Sequence, residues 1–299
     1  MRIVIVGEGM IELSGAAGAW MLGYGGDTLN TAIHLSRFGR SVSYATALGT
    51  DEFSDDLRAA WAAEGLDVSL ILSDPDKVAG LYAIRTDPAG ERSFTYWRND
   101  SAARRLFALP DADTVLRAIE QADVVVFSLI SLAILPDDDR RTFLQACGAV
   151  RQRGGMVAFD GNYRPRLWPD VASAIAARDA AIAVCSVGLP TLEDEHALSG
   201  VGDAAAVAAH WAGLGAGEVV VKLGAEGCRI DGTVIAPRAV LQPVDTSGAG
   251  DAFNAGYLNA RLGGASLEAA ALAGHDIAGW VIRHRGAVPA RDQHAPYGS

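Results

Sequence analysis

Short apolar runs alternate along the chain with stretches in which apolar residues recur three or four positions apart. The runs of strand length are residues 2–7, 42–47, 123–128, 156–159, 181–185 and 218–222. The helix-like stretches are residues 32–38, 137–151, 203–214, 250–262 and 266–283, with a further one that Asp51 is suited to cap. These spacings predict buried strands that alternate with helices. Such alternation is typical of an α/β fold in which a mainly parallel sheet is covered by helices on both faces.

Two stretches, residues 10–24 and 78–98, interrupt this alternation because they resemble strands joined by turns without helices between them. In the second stretch every other residue falls on the same face of a strand, which places Tyr96 beside Arg98. Residues 87–90 read Asp-Pro-Ala-Gly, a turn signal between two such strands. The pattern predicts a small sheet that projects from the main domain.

Composition supports one large domain and argues against several classes of partner. The chain has 299 residues, of which 50% are hydrophobic and 20% charged, enough for a single α/β domain over residues 1–299. Its net charge of −11 argues against nucleic acid and anionic membranes as partners. No apolar run is long enough to span a bilayer, and the N-terminus enters a strand without a secretory leader. We therefore expect a soluble, cytoplasmic protein.

The sequence lacks the signatures of zinc sites, dinucleotide sites and P-loops. Cys147, Cys185 and Cys228 are far apart, form no CxxC pair and have apolar or small neighbours, which predicts buried, reduced thiols. Gly7-Glu8-Gly9 follows the first strand, but Glu12 stands where a dinucleotide fingerprint needs its third glycine. No GxxxxGK[ST] motif occurs. A dehydrogenase is therefore disfavoured.

The most informative motif is Asp245-Thr246-Ser247-Gly248-Ala249-Gly250-Asp251-Ala252-Phe253. Its small residues let a ligand approach the main chain, and backbone N–H groups at a helix start favour an anion such as phosphate. Asp251 falls in the first turn of that helix, so a carboxylate lies next to the anion site. Transfer of phosphate onto an alcohol requires this pair of features. The competing interpretation is an ordinary first-turn carboxylate after a tight glycine turn.

Two further segments suit a hydroxylated, negatively charged ligand. Gly25-Gly26-Asp27-Thr28-Leu29-Asn30 leads into the first long helix, and its aspartate and asparagine offer polar groups. Tyr96 and Arg98 place a phenol and a guanidinium on one strand face, and Tyr82 lies on the neighbouring predicted strand. The alternatives are an N-cap aspartate after a flexible turn and a solvated sheet face.

Two other segments follow predicted strands, at the edge where parallel sheets bind ligands. Asp160-Gly161-Asn162-Tyr163-Arg164-Pro165-Arg166 contains Arg164, which the next proline biases toward an extended backbone. Residues 219–227 end in paired glycines and could border a nucleotide, and His275 on a later helix could reach them. A surface loop with arginines, a hairpin turn and a structural histidine are the corresponding alternatives.

Taken together, these segments resemble the ribokinase-like (pfkB) family of sugar kinases over almost the whole chain. Gly25-Gly26 with Asn30, and the run from Asp245 to Asp251, carry the resemblance in the order and spacing of that family. Within the family the chain is most similar to the bacterial 2-keto-3-deoxygluconate kinases. The segments behind this closer similarity are Gly25–Asn30, Tyr96–Asn99, Ser131–Leu135 and Asn162–Trp168.

The resemblance implies a three-layer α/β/α domain with a small β-sheet lid formed by residues 10–24 and 78–98. It also implies that Asp251 is the catalytic base and that Gly248, Ala249 and Gly250 form the anion hole. The residues implied to bind the sugar acid are Gly26, Asp27, Thr28, Asn30, Tyr82, Tyr96, Arg98 and Arg164. Those implied to bind ATP are Asn162, Arg164, Lys222, Gly224, Glu226, Gly227, Gly248, Gly250 and His275.

One departure from the family pattern concerns the metal. Many ribokinase-like enzymes carry an Asn-x-x-Glu motif that helps organise Mg²⁺, whereas the aligned positions here are Thr191 and Asp194. A carboxylate is present at these positions but the amide is not. Asp194 is therefore the candidate metal ligand.

The expected reaction is ATP-dependent phosphorylation of 2-keto-3-deoxy-D-gluconate to its 6-phosphate, with Mg²⁺ as the cofactor. Arg98 and Arg164 favour a sugar acid over a neutral sugar, because a carboxylate gains charge-assisted hydrogen bonds. A fructokinase-like sugar kinase and a sugar-binding regulator without catalysis are the alternatives. Trp20, Leu22 and Tyr24 form an apolar edge of the expected lid, which predicts a homodimer paired through the lids.

Overall fold

The computed structural model describes residues 1–16, 18–86 and 92–298. Its strands are β1 (Ile3–Val6), β2 (Met10–Ala16), β3 (Ala19–Gly25), β4 (Val42–Leu48), β5 (Ile71–Ser73), β6 (Gly80–Thr86), β7 (Arg92–Trp97), β8 (Val124–Ser128), β9 (Met156–Asp160), β10 (Val187–Gly188), β11 (Glu218–Lys222), β12 (Cys228–Ile230) and β13 (Thr233–Ile235). Its α-helices are α1 (Asp27–Arg37), α2 (Glu52–Ala63), α3 (Ala112–Gln121), α4 (Leu129–Ile134), α5 (Asp137–Gln152), α6 (Val171–Val184), α7 (Leu192–Ser199), α8 (Ala204–Gly213), α9 (Ala249–Leu262) and α10 (Leu267–Val281).

The main sheet contains nine of the described strands in the order β13-β12-β11-β10-β9-β8-β1-β4-β5. The strands from β11 to β5 in this order pair in parallel, and β12 and β13 close one edge as antiparallel strands. The carboxyl ends of the parallel strands therefore meet at one edge of the sheet, which is where ligands bind in such folds. The expected α/β fold with a mainly parallel sheet is confirmed.

Both faces of the main sheet are buried, and the central strand β1 shows how the sequence achieves this. Ile3 and Ile5 pack into the core that lies under α1, α2, α9 and α10. Val4 and Val6 pack into the second core, on the side of α3, α5, α6 and α8. Because side chains alternate between the faces of a strand, a continuous apolar run fills two cores at once. The result is a three-layer α/β/α arrangement.

Helix starts were the easier part to predict, and one strand prediction was wrong. Asp51 accepts a hydrogen bond from the backbone N–H of Ser54 at 3.1 Å and caps α2, as expected. Residues 181–185, expected as a strand, instead form the end of α6 and the residue after it. Alanine-rich apolar runs suit a buried helix as well as a buried strand. Asp170 accepts a hydrogen bond from the backbone N–H of Ser173 and caps the start of α6, which favours the helix.

A second sheet, which we call the small sheet, contains β3, β2, β6 and β7 in that order. It is formed by the two stretches that lacked helical spacing, and this prediction is confirmed. The turn expected at residues 87–90 lies outside the described residues. Glu12, Tyr82 and Tyr96 are paired across β2, β6 and β7, so they form one row on the sheet. Arg98 follows the end of β7 rather than continuing its face.

Two smaller expectations also have an outcome. Cys147, Cys185 and Cys228 are free and buried, as expected, and burial raises the pKa of each thiol above its ordinary value. No helix in the described part of the chain combines the length and apolarity that crossing a membrane requires.

The C-terminal segment packs back onto α1 through a buried histidine. The Nδ1 atom of His34 lies 2.6 Å from the Tyr297 hydroxyl, and its Nε2 atom lies 3.0 Å from the carbonyl oxygen of Ala287. The Tyr297 ring meets the rings of Phe38 and Trp280 edge-on, at centroid distances of 5.0 and 5.7 Å. Burial lowers the pKa of His34 from 6.5 to about 4. The histidine is therefore neutral in the folded protein at neutral pH.

We expect the free energy of unfolding to fall as the pH drops from about 6.5 to about 4, because the unfolded chain binds a proton at His34 that the folded chain does not. A folded pKa of about 4 against 6.5 corresponds to about 3 kcal/mol, which is present above pH 6.5 and lost by pH 4. Urea unfolding at a series of pH values measures this dependence. His34→Gln should remove most of it, whereas His294→Gln, at an exposed histidine, should not. Equal pH dependence in the wild type and the His34 variant would contradict the assignment.

Candidate active site

The N-terminus of α9 forms the centre of the site, because the glycine motif builds it with exposed backbone donors. Gly248 precedes the helix in the left-handed region, with φ 70°, and a Cβ there would lie 2.5 Å from the Cβ of Ala287. Only glycine fits this position without strain. The N–H groups of Gly248 and Gly250 make no hydrogen bond within the described residues, whereas that of Ala249 reaches the Thr246 carbonyl at 3.3 Å. The first two are therefore free to bind an anion.

Asp251 lies in the first turn of α9 beside these donors. The Asn30 amide donates to Asp251 Oδ2 at 2.8 Å. Burial, with the nearby negative charges of Asp27 and Asp160, raises the pKa of Asp251 to about 8, although the Asn30 hydrogen bond and the charge of Lys222 act in the opposite direction. A carboxylate with this pKa can accept a proton near neutral pH.

Asn30 and Asp27 form the floor of the site on α1. The Oδ1 atom of Asn30 is buried and makes no hydrogen bond to any described residue. A buried acceptor of this kind calls for a partner, and a ligand hydroxyl would supply one. Asp27 accepts a hydrogen bond from the Asn162 amide at 2.9 Å. Asn162, expected on the nucleotide side, thus lies against a residue expected to hold the sugar.

Two residues of the same segment are used by the fold. The Thr28 hydroxyl is buried and lies 3.1 Å from the hydroxyl of Tyr44 in the core. The Thr28 side chain thus points into the core, because one residue along a helix turns it away from the face of Asp27, and the expected contact between Thr28 and a ligand stays a prediction. Gly26 has φ 148°, and a Cβ there would lie 2.2 Å from the Glu8 carbonyl oxygen. A residue with a side chain would therefore not fit at this position before α1.

The small sheet lies over the site through its tyrosines. The Tyr82 hydroxyl donates to Glu12, and Asp251 is close enough to contribute to the raised pKa of Tyr82, which burial mainly causes. The same hydroxyl leaves no room at Gly25, where a Cβ would lie 2.1 Å from it. Tyr96 stacks on Tyr82 at a centroid distance of 5.8 Å and remains 45% exposed. Tyr82 thus lies near Asp251, and Tyr96 covers its ring.

Arg98 is buried in an ion pair instead of lying on the open strand face. Its Nε and Nη2 atoms both donate to Glu8 Oε2, and the Ser101 hydroxyl donates to the other carboxylate oxygen of Glu8. Alternation on a strand misplaced it because β7 ends at Trp97. Its Nη1 atom makes no hydrogen bond within the described part of the chain. The two N–H donors of Nη1 thus have no partner among the described residues and could bind a ligand.

A cavity of about 530 Å³ opens beside the end of β11. Thr191, Lys222 and Gly224 line it together with Leu192, Glu193, His196, Gly202 and Leu223. Lys222 and Gly224 therefore lie where a nucleotide was expected. Glu226 is exposed outside this lining. Gly227 serves the turn into β12, because it has φ 105° and a Cβ there would lie 2.2 Å from the Ile235 carbonyl oxygen.

His275 is used by the fold rather than facing the cavity. Its Nε2 atom lies 3.0 Å from the carbonyl oxygen of Ile235 and 3.7 Å from the sulfur of Cys228. Burial lowers the pKa of His275 below its ordinary value. These contacts fit the structural alternative, and a contact between His275 and the nucleotide stays a prediction.

The candidate metal ligand Asp194 already has a partner. The Arg164 guanidinium donates to Asp194 Oδ1 at 3.2 Å, and burial raises the pKa of Asp194 above its ordinary value. Within the described residues no three His, Cys, Asp or Glu side chains cluster as a metal site. The residues present thus do not form a protein-built Mg²⁺ site, and a single ion-paired carboxylate does not supply one.

The sequence motifs did not identify Asp160, Asn254 and Glu8 as residues of the site. Lys222 Nζ donates to Asp160 Oδ1 at 3.0 Å and to Asn254 Oδ1 at 3.2 Å. The Asn254 amide in turn donates to Asp160 Oδ2 at 2.6 Å. Two signals could have found them: Asp160 is the last residue of a buried strand, and Asn254 follows Asp251 by one helical turn. The Glu8 carboxylate, two residues after the end of β1, had the same kind of signal.

Comparisons with known proteins agree with this geometry. Residues 2–293 match the profile of the pfkB family carbohydrate kinases. The 2-dehydro-3-deoxygluconokinase of Dickeya dadantii strain 3937 is 44% identical over 298 residues, which cover 96% of each protein. The protein of the same name from Escherichia coli K12 is 40% identical over 302 residues, covering 97% of this chain and 98% of that one. The crystal structure of a PfkB protein from Polaromonas sp. JS666 matches with a TM-score of 0.82 at 30% identity, covering 93% of this chain and 94% of that one.

A buried carboxylate lies beside a helix N-terminus, at the carboxyl edge of a parallel sheet and beneath a small antiparallel sheet, which is an arrangement suited to phosphate transfer in the ribokinase-like fold. The chain belongs to the pfkB family of carbohydrate kinases. It is therefore an enzyme that transfers phosphate to an alcohol group of a carbohydrate.

Proposed function

We propose that this kinase phosphorylates 2-keto-3-deoxy-D-gluconate, also called 2-dehydro-3-deoxygluconate, at its 6-hydroxyl with ATP as the donor. The observation that carries the proposal is Asp251, a base with a pKa of about 8 beside the free N–H groups of Gly248 and Gly250. The names of the relatives from D. dadantii and E. coli support the choice of acceptor. A fructokinase-like activity is the alternative that a substrate panel separates from this one.

In the proposed reaction Asp251 accepts the proton of the 6-hydroxyl as its oxygen attacks the γ-phosphorus. The new bond joins the 6-oxygen to phosphorus, while the bond from the γ-phosphorus to the β,γ-bridging oxygen breaks and ADP leaves. The backbone N–H groups of Gly248 and Gly250 stabilise the charge on the phosphoryl group during its transfer. Ala249 lies between them in the same turn. Removing one such donor typically costs about 3–4 kcal/mol of barrier.

Binding of an acid follows from the charges around the cleft. Asp27 and Asp160 place negative charge near Asp251, so a carboxylate ligand in the cleft needs cationic partners. Arg98 offers its Nη1 atom from the buried pair with Glu8. Arg164 is half exposed, and exposed ion pairs such as its contact with Asp194 are weak enough to exchange one carboxylate for another. We assign Tyr96, Tyr82, Asn30 and Asp27 to the hydroxyl groups of the sugar.

The nucleotide occupies the cavity beside Lys222 and Gly224 in this proposal. Mg²⁺ would accompany ATP and offset the negative charge of its phosphates, and no cluster of His, Cys, Asp or Glu in the described residues would hold it without the nucleotide. ATP supply places the reaction in the cytoplasm, and cell fractionation with an antibody against the chain tests that location. Closure of the small sheet over the sugar would exclude water and limit ATP hydrolysis.

We expect Asp251→Asn to lower kcat by about 10²–10⁴-fold, because the amide cannot accept the hydroxyl proton. ATP binding, measured by calorimetry, should stay close to that of the wild type. The wild-type rate should rise with pH through about 8, since the base must be ionised to act. Asn30→Ala removes a hydrogen bond that lowers the pKa of Asp251, so its rise should lie at higher pH. A fully active Asp251→Asn enzyme would refute the base assignment.

A coupled ADP assay with a panel of sugars and sugar acids tests the acceptor. We expect kcat/KM for 2-keto-3-deoxygluconate to exceed that for fructose by at least about 100-fold, because a site built for a carboxylate leaves its cations unpaired with a neutral sugar. Arg164→Ala should raise the KM for the acid far more than the KM for ATP. Equal increases would assign Arg164 to the nucleotide, and a preference for fructose would overturn the proposed acceptor.

We propose a homodimer that pairs through the small sheets, because the outer strand β3 exposes Trp20, Met21 and Leu22. Light scattering after gel filtration should give a dimer for the wild type and a monomer for Leu22→Asp. Val234→Asp, at an exposed valine on the antiparallel edge of the main sheet, is the matched control and should stay dimeric. A monomeric wild type at micromolar concentration would overturn the pairing.

A further inference from the structure

A buried ring of hydrogen bonds joins three elements beneath the anion site. Lys222 comes from the end of β11, Asp160 from the end of β9 and Asn254 from α9. Each member bonds to both of the others, over distances from 2.6 to 3.2 Å. All three residues are buried. The position of the Lys222 ammonium is therefore fixed from two sides.

The ammonium group faces the place where phosphate would bind. A Cβ on Gly250 would lie 3.8 Å from Lys222 Nζ, so the ammonium lies against the N-terminus of α9. Lys222 also lines the cavity of about 530 Å³. Two of its N–H donors are directed to Asp160 and Asn254, and the third has no acceptor within the described residues. An anion that enters between the cavity and the helix would meet this third donor.

We propose that Lys222 binds the phosphoryl group during its transfer and that Asp160 and Asn254 are positioning residues that hold the ammonium for this task. The proposal rests on the proposed kinase reaction, although not on which sugar acid is the acceptor. Asp160 keeps a positive charge stable in a buried place, because an unpaired buried ammonium would be costly. Asn254 ties the ammonium to the helix that carries the base.

The residue type at position 222 fits this role. Lysine occurs only at positions 77 and 222, although the chain has 25 lysines and arginines. An ammonium is a compact charge with three donors, whereas a guanidinium is planar and larger. Only the compact group can lie within 3.0 and 3.2 Å of two buried acceptors and still face the helix. Lys222→Arg should therefore fail to restore the wild-type rate.

A double-mutant cycle tests whether Asp160 acts through Lys222. We expect Lys222→Met to lower kcat by about 100-fold and Asp160→Asn to lower it by about tenfold, with the KM for the sugar acid nearly unchanged in both. The double variant should have the kcat of Lys222→Met within about twofold, because Asp160 has nothing left to position. It also removes both buried charges together, so it should fold even if Asp160→Asn alone does not. Lys77→Met, at an exposed pair with Asp100, is the control and should keep wild-type kinetics.

The pH profile gives a second readout, because it reports whether the charge of Lys222 acts on Asp251. The groups that face Asp251 are Asp27 and Asn30 from α1, Asp160 from β9, Lys222 from β11 and Tyr82 from the small sheet. The charge of Lys222 lowers the pKa of Asp251. In Lys222→Met the rise of the rate with pH should therefore move to higher pH, whereas it should stay in place in Lys77→Met.

Additive losses, with the double variant about 1000-fold below the wild type, would overturn the positioning role of Asp160. A Lys222→Met enzyme with wild-type kcat would overturn the role of Lys222, and the kinase reaction itself would stand. Absence of ATP turnover by the wild type with every acid tested would instead overturn the proposed function.

Discussion

The contact between α1 and α9 is the constraint on which the site depends. Asn30 holds the Asp251 side chain at 2.8 Å, and the Thr31 hydroxyl donates to the Asp251 carbonyl at 3.2 Å. These two helices pack on the same face of the main sheet, and each begins at its carboxyl edge. Asn30 and Asp251 are far apart in the sequence, and they meet because a parallel sheet brings distant loops to one edge. Movement of either helix would separate Asp251 from Asn30.

Each of three cationic side chains in the site is paired with a carboxylate of the protein. Lys222 is paired with Asp160, Arg98 with Glu8 and Arg164 with Asp194. Pairing of this kind lets a negative chain with net charge −11 keep cations at the place where two anionic substrates are proposed to meet. The two buried pairs keep their geometry, and the half-exposed pair of Arg164 is the one that a ligand can exchange. Lys222 and Arg98 are therefore held in place by burial, whereas the more exposed Arg164 can change its partner.

The regular parts of the fold were predictable because period and composition are local properties. The continuous apolar run of β1 indicated a strand buried on both faces, and the absence of helical spacing in residues 10–24 indicated the small sheet. The strand predicted at residues 181–185 was wrong because an apolar, alanine-rich run is compatible with a strand and with a buried helix. At the site, the glycine motif located Asp251. The side-chain directions of Arg98 and Thr28 could not be predicted, because they depend on where a strand ends and how a helix is rotated, which tertiary contacts decide.

Gly248 packs against Ala287, whose carbonyl oxygen is in turn bonded to His34. The residue that supports the proposed anion hole is thus encoded almost forty codons after Gly248. A message that is cut, or a ribosome that stalls, before codon 287 yields a polypeptide with the base, the glycines and both sheets, yet without the support behind Gly248. Truncated translation products would therefore lack the contact that shapes the turn at Gly248, so only the completed chain has the whole site.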